Sequence, residues 1–181
     1  MSNNQVTQTN VATAPVKNLS QAVEAALVQG DLSSLNTQER MNYYNSVCTS
    51  LGLNPLTRPF DYIKLNNKLT LYALKSCTEQ LRNIHKISLQ IVSRETVGDC
   101  YVVTARATLP DGRTDESIGA VSIANLKGEA LAVRLMCAET KAKRRITLSI
   151  VGLSMLDETE LDTIPQKSME KVVTPTQVTA P

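Results

Sequence analysis

With 181 residues, the chain is long enough for one domain with tails. Its 19 Lys and Arg against 17 Asp and Glu leave a net charge of +2, which neither selects nor excludes a polyanionic partner, so the placement of the charges decides. Hydrophobic residues make up 42% and aromatics 3%, which excludes an aromatic-rich core and leaves few rings on which bases could stack.

Residues 1–17 are polar and lack periodic apolar positions, which predicts a disordered arm. The folded domain is expected over 18–162. A disordered tail is expected over 163–181, where Pro stands among Thr and Val. Ser20 followed by QAVEAALVQ predicts a short helix that stops at Gly30. A second helix is predicted from Asn36, with Glu39 completing a capping box, to a stop at Gly52. Asn54-Pro55 then enforces an extended or turning segment. FDYIKL and KLTLYA flank Asn66-Asn67, which tolerate the positive φ of a tight turn, and predict a hairpin. A helix follows over about 74–85, with Leu74, Cys77, Leu81 and Ile84 on one stripe.

ISLQIVSRE and CYVVTARATL, joined at Gly98-Asp99, and RTDESIGAVS after the turn Pro110-Asp111-Gly112 predict a three-strand meander. The last element is a long helix over about 126–153. Leu131, Leu135, Ala138, Ala142, Ile146 and Ile150 recur there at helical spacing and should pack on the sheet. The expected class is α+β: one antiparallel sheet, hairpin plus meander, packed against the long C-terminal helix.

The stretch most informative about chemistry is RLMCAETKAKRR, Arg134 to Arg145. On a helical wheel Arg134, Lys141 and Arg145 fall within about 40° of one another, Arg144 flanks them, and Lys143 points elsewhere. The stripe lies beside the buried face. Fixed cations at the edge of a packed helix suit a phosphate backbone, which carries a charge at every nucleotide, and Arg adds a planar fork for phosphate oxygens. The bland alternative is a solvated helix face. A second basic set surrounds the hairpin. Strand alternation is expected to put Ile63, Leu65, Leu69 and Leu71 on one face, with Lys64, Lys68 and Tyr72 on the other as a basic face with a ring; an ordinary exposed sheet face is the alternative. Asp157, Glu158, Glu160 and Asp162 follow Gly152. They read as a solubilising boundary segment or as a contact for a partner or a neighbouring subunit.

Other chemistries find little support. Cys48, Cys77, Cys100 and Cys137 form no CxxC pair, and His85 stands alone, so a zinc site is not expected. Asp111, Asp115 and Glu116 fit turn chemistry better than a nuclease metal site. No Gly-rich phosphate loop is present, which argues against an ATPase-type recombinase. No apolar run approaches the ~20 residues that cross a bilayer, and with so polar a start no signal peptide is expected. The expected setting is a reducing cytoplasm with free thiols.

The run DGRTDESIGAVSIANLKGEALAVRLMCAETKAKRRITLSIVGL resembles the core of the single-strand annealing proteins, the eukaryotic Rad-fifty-two-type domain and the phage Erf, RecT and Redβ types. Asp111-Gly112, Gly119, Glu139-Thr140, Arg144-Arg145 and Gly152 occupy places comparable to the Rad-type pattern, and GLNPLTRPF is similar to the GLNP segment of RecT and Redβ proteins. The likeness spans about 51–156. Val151 stands where the Rad-type pattern has an aromatic, and the spacing from Thr140 to Gly152 differs by about one residue.

The resemblance implies a β-β-β-α core and ATP-independent binding and annealing of single-stranded DNA in the recombination of a phage or mobile element. It implies no cofactor and no enzymatic step. It also implies assembly of identical chains into a ring or helical filament, in a bacterial cytoplasm, with a phage exonuclease as an optional partner. By position, Arg144 and Arg145 match the family's basic pair, and Lys64 and Tyr72 match hairpin residues lining its groove. Together with Arg134, Lys141, Lys143 and Lys68 these form the expected DNA-binding set. The rival expectation is a nucleic-acid-binding regulatory module, for DNA or RNA, that does not anneal.

Overall fold

A computed structural model of the protein describes residues 21–161 and 169–171. Two helices come first, α1 (Gln21–Gln29) and α2 (Thr37–Leu51), followed by the hairpin strands β1 (Phe60–Leu65) and β2 (Lys68–Ala73). Next are α3 (Lys75–His85), the meander β3 (Ser88–Val97), β4 (Cys100–Thr108) and β5 (Thr114–Ser122), and the long helix α4 (Gly128–Ile150). A one-turn helix α5 (Glu158–Leu161) and a short strand β6 (Met169–Lys171) complete the order.

Local chemistry fixes most boundaries. At the start of α2 the Asn36 side chain accepts from Glu39 N at 3.0 Å, and Glu39 accepts from Asn36 N at 3.0 Å, so two otherwise orphaned N–H groups are satisfied. Gly52 ends that helix in the left-handed region, φ 67°. Asn66 and Asn67 turn the hairpin at φ 49° and 62°. The proposed cap Ser20 and the arm 1–17 lie outside the described residues.

The hairpin and the meander do not form one sheet, as the sequence suggested. Among the described residues there are two antiparallel sheets, ordered β2-β1-β6 and β3-β4-β5. The cause is α3, which separates β2 from β3 and brings its own buried side, Cys77 and Leu81, against the hairpin. The hairpin is thereby claimed on both faces. Leu69 meets Val23, Ala26, Leu32 and Leu35 on one side, and Ile63 meets Tyr72 and Leu161 on the other. Within the expected tail, 163–181, three residues are described, as β6. Met169–Lys171 pairs with Ile63–Leu65 of β1 and covers ladder groups that an edge strand would otherwise present. The other residues of that tail lie outside the described residues, apart from these three.

Helix α4 joins two cores. Ala138, Ala142, Ile146 and Ile150 pack on Val103, Ala105 and Ala107 of the meander. Leu148 packs with Cys48, Phe60, Cys77 and Leu81 of the hairpin module. Thr147, fully buried, donates to the Lys143 carbonyl at 2.7 Å and accepts from Arg82 of α3 at 3.4 Å. The far half of α4 is clothed on two sides; its first half is more open, with Val133 and Met136 exposed. No helix among the described residues is long and apolar enough to cross a membrane.

Candidate nucleic-acid interface

The basic residues of α4 divide by depth. Arg134 is exposed, on the open half of the helix. Arg145 keeps 48% of its side chain in solvent. Lys141 and Arg144 are buried, at 9% and 8% exposure. The reason is the second packed face of α4, which apolar periodicity alone did not disclose. Lys141, Arg144, Thr147 and Leu148 share it: all four are buried, Leu148 packs with the hairpin module and Thr147 meets Arg82 of α3.

Three consecutive cations on the inner half are already matched to carboxylates. Lys143 Nζ donates to Glu139 Oε1 at 2.6 Å, and Arg94 Nη2 of β3 donates to Glu139 Oε2 at 3.0 Å. The hydrogen bond from Lys143, and then that from Arg94, hold the Glu139 carboxyl below its ordinary range. The Arg144 guanidinium pairs with Glu158. Arg145 Nη1 lies 3.2 Å from Glu160 Oε1.

The acidic stretch read as a solvated boundary therefore folds back on the basic helix. Its placement is set by the hairpin. Ala73 N donates to the Leu156 carbonyl at 2.8 Å, and Asp157 forms an isolated bridge to Ala73. Asp157 is fully buried and accepts from Thr159 N and Thr159 Oγ1, each at 2.5 Å. Leu161 enters the cluster with Ile63 and Tyr72. The sequence held one signal of this contact: a dense acidic run shortly after a dense basic run, with a glycine stop between them. A cleft of about 280 Å³ opens beside Arg145, and Ser117, Ser149, Ser154 and Glu160 stand on its walls.

The hairpin set does not form the expected basic face. Leu65 pairs with Lys68, Lys64 with Leu69 and Asp61 with Tyr72, so directly opposed residues share a side. Lys64 and Tyr72 consequently lie on opposite faces, as do Ile63 and Leu69. Carrying the alternation through the turn one residue out of phase reverses the assignment for a whole strand. Tyr72 is 6% exposed beneath Leu161 and offers no ring to a base. Lys68 is exposed, and its ammonium donates to the Gln29 carbonyl at 3.0 Å. Lys64 is half-buried.

The carboxylates singled out around the meander turn go separate ways. Asp111 accepts from Arg113 N at 2.9 Å, Asp115 accepts from Ser149 Oγ at 2.5 Å, and Glu116 accepts from Arg106 Nε at 2.7 Å. Among the described residues no three His, Cys, Asp or Glu side chains converge to hold a metal ion. Compared with known proteins, the chain matches no family model and no curated protein.

Proposed function

We propose that this protein binds single-stranded DNA non-enzymatically and anneals complementary strands without ATP. The observation that carries the reading is the pair of exposed arginines, Arg134 and Arg145, on one edge of α4. At 1.5 Å per residue they stand about 16 Å apart along the helix axis. The helix is immobilised between two cores, so the cations are presented at fixed spacing rather than on wandering loops. The order of motifs shared with the annealing proteins supports the same reading.

In this mechanism the arginines hold phosphates and keep the strand from pairing with itself. The bases remain free on the far side, where a complementary strand samples register. Base pairing supplies the free energy, so no nucleotide is consumed. Two or three cations per chain grip weakly. Several copies on one strand multiply weak contacts into a useful affinity, which fits the ring or filament that the resemblance implies.

The test is fluorescence anisotropy with a labelled oligonucleotide, paired with an annealing assay on complementary strands, both without ATP or divalent metal. Arg134→Ala with Arg145→Ala should weaken binding at least tenfold with the far-ultraviolet circular dichroism unchanged. Affinity should fall steeply with salt, the slope in log[salt] being about −0.7 per phosphate contacted. An unaltered affinity in the double variant would remove this site. Tight binding without accelerated annealing would instead point to a regulatory nucleic-acid-binding module.

A further inference from the structure

We infer that the cleft beside Arg145 is a phosphate subsite, and that Glu160 closes it in the free protein by standing where a phosphate of the strand would bind. This rests on the nucleic-acid reading above and adds to it a built-in competitor.

The two arginine–glutamate pairs next to each other on α4 differ in kind. In the Arg144–Glu158 pair the arginine side chain is 10% exposed. Removing Glu158, itself 35% exposed, would leave the buried Arg144 charge without its carboxylate, so this pair anchors the acidic segment rather than trading partners. In the Arg145–Glu160 pair the arginine side chain is 48% exposed and the carboxylate 17%. Here the guanidinium faces water while the carboxylate is largely covered. A polyanion arriving from solvent reaches Arg145 without unpacking the core.

Two further features fit an exchangeable carboxylate. The backbone around Glu160 is held by Ala73 N donating to the Leu156 carbonyl at 2.8 Å and by Leu161 in its cluster, so the carboxylate leaves by side-chain rotation alone. Beside Arg145 the cleft wall carries the Ser117 and Ser154 side chains, whose hydroxyls can donate to phosphate oxygens once the carboxylate has swung out. Glu158 meanwhile keeps the segment tethered, so the carboxylate returns when the strand leaves.

Glu160→Gln tests this directly, because the amide oxygen can still accept from Asp157 N, now 3.3 Å from Glu160 Oε2. Oligonucleotide affinity is measured by anisotropy for wild type, Glu160→Gln, Arg145→Ala, the double variant, and Glu24→Gln, an exposed residue of α1 where the same change in net charge is made outside the cleft. The expected result is a three- to tenfold gain for Glu160→Gln, no gain when the substitution is made in the Arg145→Ala background, and a much smaller effect of Glu24→Gln. Should Glu160→Gln fail to fold, Glu160→Asp withdraws the carboxylate by one methylene without altering charge, and a gain is expected there too. If wild type binds but the substitutions at Glu160 give no gain, or the gain survives Arg145→Ala or is equalled by Glu24→Gln, the gate is refuted while the nucleic-acid reading stands. If wild type itself ignores the oligonucleotide at low salt, the underlying reading fails.

Discussion

At Gly119, strand β5 and helix α4 come so near that a β-carbon would stand 2.2 Å from the Ala138 carbonyl oxygen and 2.4 Å from Ala142 N. Both obstacles are backbone, so neither can rotate aside. Gly119→Ala is therefore expected to push the helix off the sheet and to cost about 3 kcal/mol or more, at the upper end of overpacking penalties. Urea unfolding followed by circular dichroism would measure it, and an unshifted midpoint would show that the helix can back away freely. From the sequence, Gly119 stood out only through its place in a motif. Its physical role depends on which helical residues lie opposite, and those are far away along the chain. Asn36 and Glu39, by contrast, were legible because the residues that satisfy each other are three positions apart.

Among the elements, α4 is tied to β3 through Glu139, which receives Arg94 from the strand and Lys143 from its own helix. Its carboxyl titrates below the ordinary range, so the fold favours the ionised form. The stability this adds is present above the usual glutamate pKa and is lost as pH falls through the lowered folded-state value. Wild type is expected to exceed Glu139→Gln by roughly 1 kcal/mol at neutral pH, given the partial exposure of these groups. The two should converge in acid below the glutamate range. Thermal melts across pH would check this, and a constant difference would remove the assignment. Helix and strand boundaries were readable because caps, turns and alternation are local. The face assignment of the hairpin was not, because it depends on the Leu65–Lys68 register across the turn. Nor was the division into two sheets, since alternation says which residues face inward but not against what.

Taken whole, the molecule has two cores sharing one helix: Ile146 serves the meander and Leu148 the hairpin module. Unfolding is accordingly expected to be a single transition. Cys77, whose thiol burial pushes up to about 12, is a convenient reporter of the hairpin core. Its alkylation in rising denaturant should track the loss of helical dichroism, and Leu148→Ala should shift both signals together by about 2–5 kcal/mol. Separate midpoints would mean that the cores melt independently. The long amphipathic helix was legible as the centre of the fold because its apolar stripe runs its full length. The second face was masked by Lys141, Arg144 and Thr147, polar residues that read as solvent-facing until their neighbours are known. The acidic segment was hidden for the same reason, because composition identifies charge without naming its counterpart.

The strand β6 has a consequence for biosynthesis. It completes the open margin of β1 by pairing at Ile63–Leu65, yet it stands about a hundred residues further along the chain and leaves the ribosome well after the hairpin. The hairpin is thus made before the strand that seals it, and until β6 has emerged its unpaired rim is exposed to any neighbouring nascent polypeptide.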